Sequence, residues 1–141
     1  METYEHPYWH VWVDETGLTR QTERTIVASG NRQKWHGIAE ILASPVWQNV
    51  RSQQVIVLQP GVEYDWHENP LPQWAICLKG RWFVETLDGT RVEMGPGELS
   101  LGEDQGSSGP DGRKGHRSGA VGDLPCVLLL VQQPAERGPG R

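Results

Sequence analysis

From Val46 onward the chain is cut into short pieces by turn residues, and this punctuation limits the fold more than any other feature. Pro60-Gly61, Lys79-Gly80, Asp88-Gly89, Gly95-Pro96-Gly97 and Val121-Gly122-Asp123 each interrupt the backbone pattern. Glycine reaches positive φ without strain, and proline withholds a ladder donor. Between the turns stand β-branched or alternating runs: Gln53–Leu58, Gln73–Leu78, Arg81–Leu87, Thr90–Met94, Glu98–Leu101 and Cys126–Gln132. Asp88-Gly89 joins two of them as a hairpin, for which a type I′ turn is expected. The segment 102–115 is too polar and too rich in turn formers for a core, and reads as a loop. Short strands at roughly ten-residue spacing indicate an all-β sandwich or barrel.

Upstream the pattern is less regular. Residues 1–15 read as a strand through the alternation of WHVWVDE, and Thr25–Ala28 as another. Residues 29–44 are ambiguous: GIAEILAS suits one helical turn or two, ended before Ser44-Pro45. An N-terminal strand with no local partner suits pairing with a neighbouring subunit, so a homodimer is expected. The division is then 1–45 for N-terminal strands and a connecting segment, 46–133 for the barrel, and 134–141 for a disordered tail.

A length of 141 residues suits one domain, and a net charge of −5 argues against nucleic acid as a partner. No apolar run approaches the ~18 residues of a membrane span. The N-terminus lacks a basic segment followed by an apolar one, so a cytoplasmic location is expected. Cys77 and Cys126 sit in apolar runs without a CxxC pair and read as buried thiols.

The chemistry concentrates in Gly61–Gly80, GVEYDWHENPLPQWAICLKG. His67 and Asn69, two apart on an extended chain, face one side, and Gln73 joins from the next strand. By the same parity Asp65 faces inward with His67, Glu63 does so too, and Glu68 points to solvent. The spacing resembles the first motif of the cupin family, G-x5-H-x-H-x3-E-x6-G: every interval matches, with Asn69 where a histidine is usual and Gln73 where a glutamate is usual. A second cupin motif, G-x5-P-x-G-x2-H-x3-N, is approached by Gly89, Pro96 and Gly97, with the proline displaced by one. Ser100 stands at its histidine position and Asp104 at its asparagine position. Two alternatives follow. Either the loop 102–115 is an insertion and His116 replaces the missing ligand, or Ser100 fills that position and His116 lies elsewhere near the barrel mouth. The resemblance covers about residues 55–132. It implies an all-β, double-stranded β-helix (jelly-roll) barrel with an N-terminal extension.

Two site chemistries stand open. The resemblance implies a divalent transition metal (Mn, Fe, Ni or Zn) held by His67, Gln73 and His116, although amide oxygens are weak ligands for such ions. The metal-free alternative uses His67 and His116 as acid–base residues, since imidazole titrates near neutrality. Asn69 and Gln73 would orient a ligand carbonyl or hydroxyl, and Trp66, Trp74 and Trp82 would supply apolar walls. The expected function is binding, with lyase, isomerase or cyclase chemistry, of a small, partly apolar carbonyl compound. A non-catalytic ligand-binding cupin and a metal-dependent oxygenase are the alternatives. For each histidine the plain reading is a structural, hydrogen-bonded imidazole. Arg113, Lys114 and Arg117 either draw an anion to the mouth or form a solvated turn, and the direction of Glu85 is open.

Overall fold

The computed structural model describes residues 2–29, 34–35, 39–42, 44 and 49–134. Its strands are β1 (Thr3–Val13), β2 (Thr19–Ser29), β3 (Lys34–Trp35), β4 (Ala39–Glu40), β5 (Ser52–Leu58) and β6 (Glu63–His67). They continue as β7 (Gln73–Lys79), β8 (Trp82–Thr86), β9 (Arg91–Met94), β10 (Leu99–Gly102), β11 (His116–Ala120) and β12 (Cys126–Gln132). Among the described residues there is no α-helix, only a 3-10 turn at Pro110–Gly112, and so no helix long and apolar enough to cross a membrane. The helical turn considered for GIAEILAS is corrected where it is described: of its residues 39–42 and 44, Ala39–Glu40 form β4, paired with Lys34–Trp35, while the tail from residue 135 lies outside the described residues.

Two sheets form. One has the order β2-β1-β10-β7-β12-β5 and the other β6-β11-β8-β9. From β5 onward the pairs are nested: β5 with β12, β6 with β11, β7 with β10, and β8 with β9. The innermost hairpin thus closes at Asp88-Gly89, and each outer pair joins strands farther apart in sequence. The hairpin differs from the type I′ expectation. Gly89 alone takes positive φ (88°), while the Asp88 carboxylate accepts from Thr90 N at 3.1 Å and from Thr86 Oγ1 at 2.7 Å. The side chain closes the turn locally, so Asp88 has no need of the left-handed region.

The N-terminal strand is paired within the chain, which corrects the expectation of an unpartnered strand and removes the ground for a dimer. β1 runs antiparallel to β2 along its whole length, from Thr3↔Ser29 to Val13↔Thr19, and parallel to β10. β2 reaches beyond Thr25–Ala28, and the sequence hid this because its first half, TRQTER, is polar and carries no apolar alternation to read.

Alternation sorts the six-stranded sheet into two faces. Ala75, Cys77, Leu128 and Leu130 turn toward the four-stranded sheet and meet Trp82, Val84 and Met94. Trp74, Leu101 and Val131 turn the other way, with Tyr8 packed at 5.0 Å from the Trp74 ring. Each fully buried side chain of this size contributes about 1.5–3 kcal/mol. Cys77 and Cys126 are free, buried thiols with sulfurs 3.8 Å apart. Burial pushes the Cys126 thiol up to about 12.

A histidine pair at the mouth of an apolar cavity

The facing sheets enclose a cavity of about 250 Å³. Its walls are mostly apolar, with Val11, Ala75, Val84, Leu128 and Leu130 among them. His67, Asn69, Gln73 and His116 line it at one end, where His67 is exposed. Residues placed here from the sequence by spacing therefore do meet in space. His67 and His116 are register partners on β6 and β11, and their rings stand 4.5 Å apart at 51°.

A β-bulge decides what faces inward. His116 pairs with His67, but Ser118 pairs with Tyr64, so Asp65 and Trp66 together oppose the single residue Arg117. The extra residue shifts the parity of β6. Tyr64 and His67, three apart, both line the cavity, whereas Asp65 and Trp66 line an outer hollow. The inward parity expected for Asp65 and Glu63 is thereby corrected. Glu63 instead meets Arg117 at 3.0 Å, and Arg117 also holds Glu85 at 2.9 Å, away from the cavity. Glu68, expected in solvent, is half-buried and accepts from Ser107 N and Oγ at 2.8 and 2.6 Å.

Each imidazole is fixed through Nδ1. His67 Nδ1 donates to the Asp65 carbonyl at 2.6 Å. His116 Nδ1 donates to Asp104 Oδ2 at 2.6 Å, and Asp104 is 0% exposed. The other Asp104 oxygen accepts from Asn69 N at 3.0 Å, so one buried carboxylate orders both ends of the site. With Nδ1 engaged as donor, Nε2 is the position of each ring left to take up or release a proton. Motif spacing placed Asp104 only where the second cupin motif has an asparagine. Its bond to His116 depends on the 103–115 loop folding back, which leaves no local signal.

Gly115 seats His116. It holds φ +70°, and a Cβ there would overlap the His67 carbonyl. Its N–H donates to Ser107 Oγ at 2.8 Å and its carbonyl accepts from Thr19 Oγ1 at 2.6 Å. Gly102 has a parallel role, since a Cβ at that position would overlap the Asn69 amide.

The two amides form a relay. Ser52 Oγ donates to Gln132 Oε1 (2.7 Å), Gln132 Nε2 to Gln73 Oε1 (2.9 Å), and Gln73 Nε2 to Asn69 Oδ1 (3.1 Å). Both amide oxygens are thus already engaged. This bears on the metal. Among the described residues no three His, Cys, Asp or Glu side chains converge on one point, and Gln73 Oε1 is held by Gln132. Two imidazoles alone do not make a tight three-ligand site, so the donor set does not fit the metal centre the sequence suggested.

The three tryptophans part ways. Trp82 lines the cavity. Trp74 is buried on the opposite face of its sheet, against Tyr8. Trp66 lies under Arg113 in the outer hollow, 5.0 Å from the guanidinium. Ser100 and His116, the alternatives for the second-motif position, both line the cavity. Sequence reasoning missed Tyr64 and Ser118. Ser118 shares the inward parity of His116 and was legible in principle.

No protein-family model matches the chain. No curated protein matches it. Protein NMB1881 from Neisseria meningitidis, known from a crystal structure, is a structural neighbour at 16% identity. The match covers 64% of this chain and 88% of that one, with a TM-score of 0.42.

Proposed function

We propose that this chain is a jelly-roll protein of the cupin type whose cavity binds a small, partly apolar carbonyl compound and moves a proton on it. The nested pairing of β5 through β12 supports the jelly-roll reading, since a long hairpin rolled into two facing sheets pairs its strands in that order. The observation that carries the chemistry is the row from buried Asp104 through buried His116 to exposed His67 at the end of an apolar cavity.

The carboxylate of Asp104 accepts the Nδ1 proton of His116 and orients the ring, which leaves Nε2 to accept a proton from a carbon or hydroxyl next to a ligand carbonyl. His67, its Nδ1 tied to the Asp65 carbonyl, stands beside it. Two imidazoles in contact can divide the work: one removes a proton and the other, when protonated, returns one at a different atom. Lyase and isomerase reactions need that pair of steps. The Asn69 side-chain N–H groups, at the free end of the amide relay, suit a ligand oxygen. Apolar walls exclude water and strengthen each of these interactions.

The test is a ligand screen of neutral carbonyl compounds by calorimetry, followed by turnover with His67→Ala and His116→Ala. Binding retained with conversion lost in both variants supports the proposal. Conversion at the wild-type rate in both refutes it, and binding with no conversion by any form leaves a non-catalytic binding protein.

A further inference from the structure

We propose that the cavity contains a second polar subsite, made by the hydroxyls of Ser100 and Ser118, which takes a neutral oxygen function of a bifunctional ligand. The proposal rests on the cavity being the ligand site, and it narrows the substrate class.

Ser100 is 4% exposed and Ser118 6%. They line the cavity from opposite sheets, Ser100 on β10 and Ser118 on β11. No hydrogen bond among the described residues engages either hydroxyl, and neither oxygen is sealed inside protein. Ser107 shows the contrast, its buried hydroxyl bonded to both Glu68 and Gly115. Each hydroxyl therefore opens on the cavity and bonds to nothing in the protein, and a hydroxyl facing apolar walls without a partner is unfavourable, so two of them on one cavity point to a polar group on the occupant.

The register sets where that group lies. Ser118 follows His116 by two residues on the same face of β11, opposite Val84, so the two side chains are spaced by about 7 Å along the strand. A ligand that reaches both has one oxygen function at the histidine pair and a second about four or five bonds away. The cavity lining contains no Lys, Arg, Asp or Glu side chain, and an unpaired ionised group is strongly disfavoured there. The class is therefore a neutral hydroxy-ketone or diketone with an apolar skeleton, rather than a keto acid or a phosphate ester.

The experiment uses two probe compounds, cyclohexanone and cyclohexanone carrying a hydroxyl opposite its carbonyl. Each is titrated calorimetrically into wild type, Ser100→Ala, Ser118→Ala and the double variant. Wild type is expected to favour the hydroxylated compound by about three- to tenfold, the worth of one or so hydrogen bonds. The variants lose that preference while keeping their affinity for cyclohexanone, and either single variant decides the matter if the double does not fold. Equal preference in wild type and variants, or no preference in wild type, overturns the subsite and leaves the cavity reading intact. Failure of wild type to bind either compound overturns both.

Discussion

Nδ1 of His116 lies 2.6 Å from Oδ2 of Asp104, a carboxylate with no solvent exposure. The bond fixes the tautomer of the imidazole. Asp104→Asn keeps the shape and the capacity to accept from Asn69 N, but turns an N–H toward His116 Nδ1. The ring must then carry its proton on Nε2, where the proposed base needs a lone pair. Proton transfer is expected to fall by about 10²-fold or more, with ligand affinity changed much less. Separate measurement of affinity and rate checks this. Equal losses in both would make Asp104 a purely structural residue.

Gly115 is the contact point between β6 and β11. Gly115→Ala puts a Cβ against the His67 carbonyl in a left-handed conformation, for which backbone strain alone costs ~1–3 kcal/mol. The expected result is a destabilised fold in which the His67–His116 pair is spread apart. Denaturant unfolding gives the first quantity, and the imidazole NMR shifts report the second. Wild-type values for both would contradict the placement of this residue.

Trp74 and Trp82 have different jobs despite similar burial. Trp74→Ala removes the partner of Tyr8 on the far face of the sheet, and about 3–5 kcal/mol of stability is expected to go with it. Affinity for a cavity ligand should stay within about twofold. Trp82→Ala instead enlarges the cavity and changes that affinity. Calorimetry on the two variants distinguishes them, and a Trp74 variant that folds stably but no longer binds would return Trp74 to the pocket.

Six of the eight strands from Ser52 onward were legible because each is bounded by a turn whose chemistry is local, whereas Glu63–His67 and His116–Ala120 were not named as strands. What happened on β6 was not legible. A bulge inserts a residue without needing a glycine or proline, so nothing in Asp65-Trp66 announces that parity changes there. The parity rule then sent Asp65 inward in place of Tyr64. The meeting of His67 and His116 was half legible: motif spacing pointed to one, while the other is brought in by a polar loop that folds back through Asp104, Ser107 and Gly115. The metal set looked plausible from spacing. It fails because Gln73 and Asn69 satisfy each other and Gln132, a pairing across β7 and β12 that sequence distance conceals.

Asp14 offers a pH-dependent check on the N-terminal hairpin. Its carboxylate accepts from the Thr16 hydroxyl at 2.6 Å, pairs with Arg20, and accepts from the backbone of Thr16 and Leu18. These contacts, led by the Thr16 hydroxyl, hold its pKa well below the usual carboxylate range. A depressed folded-state value means that the stabilisation is present above the unfolded value of about 3.9 and is lost as pH falls through the folded one. Asp14→Asn should therefore lower Tm at neutral pH and flatten the fall in Tm below about pH 4. Parallel Tm-against-pH curves for the two proteins would show that Asp14 contributes nothing.

The most direct measurement is hydrogen–deuterium exchange at the carbons beside the carbonyl of bound cyclohexanone, followed by NMR in heavy water. Wild type is expected to catalyse exchange above the buffer rate, with His116→Ala and His67→Ala each reduced toward the buffer rate although both still bind the ketone. Exchange by wild type no faster than buffer, with the ketone demonstrably bound, would contradict an acid–base role for the histidine pair.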